Sequence, residues 1–206
     1  MTPARDSGAA AAPEPPAFVR GPLLTDAWEL ARVAHEGQTR PSDGGPYLRH
    51  PVEVAELLRG VGLDDDGIVA AALLHDVVEH TGVETDDVYG RFGEEVGRLV
   101  EALTEPEGVE PYERRKELHR AQVEAAGRRA VAIYVADKLA KLREVRAQYA
   151  RAGERAADAL KAPLDVRVRL WEEDLAMARR AFPELPLVAR LEAELAALAG
   201  QREADR

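Results

Sequence analysis

The chain has 206 residues, 38 acidic against 28 basic for a net charge of −10, no cysteine, and a hydrophobic share of 46%. That is enough chain for one ordinary domain or two small ones with a sizeable core. It excludes disulfides and thiolate metal ligands, and its acidity argues against long nucleic acid, whose phosphates are held by Lys and Arg.

The first twenty residues, MTPARDSGAAAAPEPPAFVR, are Ala- and Pro-rich with no apolar period, and residues 1–21 read as a flexible tail. They hold no signal-peptide core, and no apolar run reaches membrane-spanning length, so the expected location is cytoplasmic with no membrane partner. From 22 to 200 the pattern is helix after helix, one all-α domain, with 201–206 left as a C-terminal tail. Thr25 or Asp26 is placed to cap a helix running to about Gln38. TRPSDGGPYLRHP is a loop, broken by Pro41, Gly44, Gly45 and Pro46. Pro51 suits the first turn of a helix carrying Val52, Val54, Ala55, Leu57 and Leu58, which Gly60 and Gly62 end. DDDG opens a third helix, with acids near its positive end, that runs on through IVAAALLHDVVEHT. A short helix begins at Thr85, another covers FGEEVGRLVEALT, and EPEGVEP is a loop. A mostly polar helix spans 112–126 and a long one 128–149, with Val131, Ile133, Val135, Leu139, Leu142 and Val145. Two more follow over 164–182 and 187–199, the last with Leu187, Leu191, Leu195 and Leu198 on one side. There is no strand alternation and no internal repeat.

The chemistry concentrates in the third helix. His75 and Asp76 interrupt an apolar run, and Glu79 and His80 follow one turn later. His50 stands at a loop-to-helix junction, and Asp137 interrupts AVAIYVADKLAKL. Each alone has a bland reading: His50 as a loop or capping residue, Asp137 as an interior acid paired with a base, Glu79 as a solvated helix-end acid. His35 and His119 are taken as structural or surface residues. Together the four ionisable groups in apolar settings point to a cation, because an unpaired buried carboxylate is costly and a divalent ion compensates for it. Two imidazoles and two carboxylates suit Mn²⁺, Fe²⁺ or Zn²⁺. Glu79, four residues after His75 and three after Asp76, shares their helix face. It could take or give a proton beside an ion that lowers the pKa of water and polarises a phosphoryl oxygen.

Four segments in order, AHEGQTRPSDGGPYLRHPVEVAELL, AALLHDVVEHT, FGEEVGRLVEALTE and YVADKLAKLREV, resemble the HD-superfamily hydrolase domain of RelA/SpoT-type alarmone enzymes. The match covers roughly residues 24–150. With no synthetase region following, the chain is most similar to the stand-alone small alarmone hydrolases. The resemblance implies an HD-domain helical bundle, a Mn²⁺ site held by His50, His75, Asp76 and Asp137, and a small nucleotide substrate, ppGpp or pppGpp, that loses its 3′-pyrophosphate. It implies a catalytic pair at Glu79 and the following residue, and substrate contacts at Arg40, Tyr47 and Lys141. The chain departs from the family pattern at three places: Pro41 stands where a Lys is usual, His80 for an Asp, and Lys141 for an Asn. None of the three is an implied metal ligand. His80 can still exchange a proton near neutral pH. Lys141, one turn after Asp137, can meet a phosphate as a point charge. Two other functions stay open: an HD phosphohydrolase acting on another nucleotide or phosphorylated metabolite, and a nucleotide-binding regulatory module that has lost catalysis. The sequence leaves the oligomeric state open.

Overall fold

Apolar residues recurring at helical spacing build an all-α structure, as expected. The computed structural model describes residues 13–40, 42–153, 155 and 162–205. Its helices are α1 (Gly21–Ala34), α2 (Arg49–Arg59), α3 (Asp66–Leu74), α4 (Val77–His80), α5 (Thr85–Leu103), α6 (Tyr112–Ala126), α7 (Arg128–Ala152), α8 (Leu164–Ala181) and α9 (Pro186–Ala204). No strand occurs among the described residues, only an isolated bridge between Thr39 and Pro46.

α7 is the axis of the bundle. It packs on α2, α6, α8 and α9 and touches α3. Every residue from Ala130 to Ala140 on it is buried. A helix apolar all round belongs inside, and α7 carries Asp137 and Lys138 into that interior. α3 is buried in the same way from Ile68 to Leu74, and packs against α1, α2 and α5. Its start follows the acidic reading: Asp65 caps it by accepting the Ile68 N–H at 3.2 Å, and Arg129 holds the same carboxylate at 2.6 Å.

Several boundaries differ from expectation. α1 begins at Gly21 rather than at Thr25 or Asp26, because Pro22 sits in its first turn, where a fixed φ and a missing N–H cost nothing. Asp26 instead pairs with Arg91 at 2.6 Å. α1 also stops at Ala34, short of Gln38. The helix expected to run unbroken through His75 and Asp76 ends at Leu74, and α4 starts after Asp76. The Thr85 and FGEEV helices form one element, α5, broken at Gly93, whose φ of 80° suits a residue without a Cβ. α9 extends past 199 to Ala204. Of the expected N-terminal tail, residues 1–12 lie outside the described residues, while Phe18 and Val19 pack against the core. Among the described residues, no helix is long and apolar enough to cross a membrane.

Candidate active site

The junctions between elements aim the polar groups. His50 is in the first turn of α2, Asp137 is midway along α7, and His75 and Asp76 fill the break between α3 and α4. The break matters: Asp76 leaves the α3 ladder at φ −104°, ψ −4°, which turns its carboxylate toward α2 and α7. Its carbonyl still accepts the His80 N–H at 3.0 Å, so α4 stays attached.

All four groups are buried. His50 Nε2 lies 3.0 Å from Asp137 Oδ1 and 3.5 Å from Asp76 Oδ2. His75 Nε2 lies 3.2 Å from Asp76 Oδ2 and 3.7 Å from Asp137 Oδ1. His75 Nδ1 donates to the Ala72 carbonyl at 2.7 Å. That bond fixes the ring and aims Nε2 at the carboxylates, where it has no hydrogen-bond partner of acceptable geometry. A backbone carbonyl behind one ring nitrogen, with the other nitrogen facing carboxylates, is the arrangement of a metal-ligating histidine.

The electrostatics agree. Burial alone would drive His75 toward the neutral form, but Asp76 and Asp137 outweigh it and carry the ring up to about 10. A field that holds a proton so firmly also favours a divalent cation. Burial opposes ionisation of both carboxylates. His75 and Lys141 nevertheless hold Asp76 well below the usual range, and Lys138 and Lys141 do the same for Asp137. His50 is pushed down by burial, toward the neutral form a metal needs. His50, His75 and Asp137 have ligand atoms within 4.8 Å of one another, so the donor set fits a divalent ion, with Asp76 beside it.

The surrounding groups hold this cluster in place. Tyr47 donates its hydroxyl to Asp76. Lys138 Nζ takes the far oxygen of Asp137 at 2.8 Å and lies over the Tyr134 ring. Lys141 Nζ is 3.0 Å from Asp137 Oδ1. Gln38, itself bonded by His35 Nδ1, grips the His80 carbonyl at 2.9 Å. Glu79 and His80 stand at the mouth, 3.8 Å apart.

Above the cluster opens a cleft of about 250 Å³. It collects every expected site residue outside the buried floor: Arg40, Tyr47, Glu79, His80 and Lys141 all line it. Pro41 lies outside the described residues. The opposite wall was not foreseen: Lys116, Lys138, Arg167 and Trp171 also face the cleft. Five cations, together with the carboxylates of Glu79, Glu105, Glu144 and Asp174, therefore line one cleft of a protein with net charge −10. The available signal was pairing at four-residue spacing, since Tyr112 lies against Lys116 and Trp171 against Arg167.

Behind that wall His119 is buried against the edge of Tyr134, with neither ring nitrogen bonded. Burial, with Lys138 nearby, pushes it down to about 3. The unfolded chain takes up this proton below about pH 6.5 while the folded chain does not. Stability should therefore fall as pH drops from about 6.5 toward 3, by at most about 1.4 kcal/mol per unit from this group. Urea midpoints for His119→Phe should decline less on acidification than those of the parent, and equal slopes would show that His119 does not set the trend.

Residues 27–168 match the HD domain family. This chain belongs to the HD domain family. Its HD domain is 38% identical over 124 residues to the human guanosine-3′,5′-bis(diphosphate) 3′-pyrophosphohydrolase MESH1, covering 59% of this chain and 69% of that protein. It is 48% identical over 81 residues to the bifunctional (p)ppGpp synthase/hydrolase SpoT of Escherichia coli K12, covering 39% of this chain and 11% of that one. A probable GTP pyrophosphokinase of Mycobacterium leprae is 37% identical over 168 residues, which is 76% of this chain and 21% of that protein. The chain thus spans about a fifth or less of the two long relatives. A solved structure described as a metazoan ortholog of SpoT that hydrolyzes ppGpp superposes on the HD domain at TM-score 0.68 with 29% identity, covering 93% of this chain and 98% of the other. The resemblance to RelA/SpoT-type hydrolases is borne out.

Proposed function

We propose that this HD domain is a cytoplasmic, Mn²⁺-dependent hydrolase that removes the 3′-pyrophosphate of ppGpp and pppGpp. The observation that carries the reading is the buried His50–His75–Asp76–Asp137 cluster at the floor of a cation-lined cleft. Relatives named for the same reaction support it. His50, His75, Asp76 and Asp137 would hold the ion, which supplies Lewis-acid charge to a phosphoryl group and lowers the pKa of water. Arg40, Lys116, Lys141 and Arg167 orient the phosphates from two sides of the cleft. Tyr47 keeps the Asp76 carboxylate in one position through its hydroxyl. Glu79 takes the proton from the attacking water, and His80, 3.8 Å away, exchanges it with solvent.

The deciding experiment is turnover of ppGpp by Mn²⁺-reconstituted protein, with products read by chromatography and Asp76→Ala as control. Pyrophosphate and GDP are expected, and absent in the control. Intact ppGpp beside hydrolysis of another phosphate ester would overturn the substrate assignment. Lys141 favours that second reading, because an ammonium binds any phosphate regardless of the base attached.

Lys116 adds a pH signature. Burial and the neighbouring Lys138 lower its ammonium to about 8 although Glu105 pairs with it. Above that pH it loses its charge and its hold on an anion. KM for a phosphorylated substrate should rise about tenfold as pH climbs through 8, the value of one charge-assisted hydrogen bond. Lys116→Arg, charged throughout, should flatten that rise.

A further inference from the structure

The mouth of the cleft holds a second group of metal-binding atoms. One ligand atom from each of Asp76, Glu79 and His80 lies within 4.8 Å of the other two, in a set distinct from His50, His75 and Asp137. The spacing is that of one helical turn. The Asp76 carbonyl accepts the His80 N–H at 3.0 Å, so positions 76, 79 and 80 share a face as i, i+3 and i+4. Around an ion with bonds of about 2.1 Å, tetrahedral ligand atoms stand about 3.4 Å apart. Glu79 Oε1 and His80 Nε2 are already at 3.8 Å, so small side-chain rotations close the set.

The donors are held in place and otherwise unused. Gln38 fixes the backbone of residue 80 through its carbonyl. The Tyr47 ring stands edge-on to the His80 imidazole at 5.9 Å, while its hydroxyl holds Asp76. One tyrosine thus touches two of the three ligands. Among the described residues, neither the Glu79 carboxylate nor the His80 ring makes a hydrogen bond. Asp76 offers two oxygens with about four acceptor positions, enough to serve both groups as a bridge.

The donor types select the ion. His80 brings an imidazole where the family pattern has an Asp. Two carboxylates and a nitrogen favour zinc over Mn²⁺, because zinc binds a given N/O site more tightly. Lys141, 4.0 Å from Asp76 Oδ1, and an ion on the first cluster both repel a second cation. The second site is therefore the weaker one and fills only when zinc is in excess.

We infer that Asp76, Glu79 and His80 form a second metal site, and that a zinc ion bound there switches the hydrolase off. The binding stands on the geometry alone; the inhibition rests on the proposed roles of Glu79 and His80. Zinc on the Glu79 carboxylate takes the lone pairs that accept the proton of the water. Zinc on His80 Nε2 blocks proton exchange with solvent. One ion stops both steps.

The test starts from the full chain loaded with Mn²⁺ and dialysed to equilibrium against rising zinc, with both ions measured in the protein. The parent should keep its Mn²⁺ and take up one zinc. Glu79→Gln and His80→Ala should keep Mn²⁺ and bind zinc at least about tenfold more weakly, since even an outer-shell partner of a metal is worth that much. Turnover of ppGpp by the parent should fall at least about a hundredfold as the zinc equivalent fills. Measured against its own zinc-free rate, His80→Ala should need at least about tenfold more zinc for the same fall. Zinc that replaces Mn²⁺ instead of adding to it overturns the inference, and so does zinc binding that both variants leave unchanged. A filled zinc site with undiminished turnover overturns the switch. The functional reading fails separately: a zinc equivalent that depends on His80, in a protein with no ppGpp turnover, upholds the site and sinks the alarmone hydrolase.

Discussion

Asp137→Ala should lose the divalent ion, the hydrolytic activity and much of the protein's stability together. The ion goes because Asp137 Oδ1 is the oxygen nearest His50 Nε2, and close to His75 Nε2. Activity falls with it, by roughly three orders of magnitude, if the ion supplies several kcal/mol to the transition state. Stability falls for a separate reason. Lys138 is only 7% exposed and its ammonium rests on Asp137 Oδ2 at 2.8 Å. Removing one partner of a buried pair leaves an uncompensated charge, at about 3–5 kcal/mol. Asp76→Ala is the companion variant. Its contacts are the Tyr47 hydroxyl and two imidazoles, and the nearest ammonium, Lys141, is 4.0 Å away. It should lose ion and activity with a smaller loss of stability. Metal analysis and urea unfolding read the two effects apart, and an Asp137→Ala protein that keeps its metal would remove Asp137 from the ligand set.

Glu79→Gln should do the opposite: keep the metal and the fold, and lower kcat by about 10²–10⁴, the usual contribution of a positioned proton acceptor. Its side chain is 26% exposed and lies 3.8 Å from the His80 ring, with an Asp76 carboxylate oxygen within 4.8 Å. Stability should therefore stay within about 0.5 kcal/mol of the parent. KM should barely move, because Glu79 offers no charge that attracts a phosphate. His80→Ala separates ring from backbone, since Gln38 holds the carbonyl of residue 80 and not its imidazole. A Glu79→Gln enzyme with unchanged kcat would leave the proton acceptor unassigned.

Much of the molecule was legible because its information is local. Seven apolar residues before His75 mark a buried helix whatever surrounds it. Asp137 inside an apolar run marks α7 in the same way. The kink at Gly93 was audible as two helices. What escaped depends on distant partners. Nothing near residue 75 says that the helix breaks there; the break is visible only once Asp76 meets Tyr47 and the α2 and α7 side chains. The far wall of the cleft was missed because Lys116 and Arg167 look like ordinary solvated cations within their own helices. Only the packing of α6 and α8 on α7 turns them inward.

The ion pair inside α7 also says how the fold trades durability for chemistry. Lys138 is buried over the Tyr134 ring, and its charge is tolerated because Asp137, with Asp174 and Glu105 nearby, is charged too. Well-packed apolar residues replacing both members of a buried ion pair are often neutral or stabilising by about 1–4 kcal/mol. Asp137→Leu combined with Lys138→Met should therefore cost less stability than Asp137→Ala alone, and would hydrolyse nothing. Selection for heat resistance alone gives no reason to keep the pair.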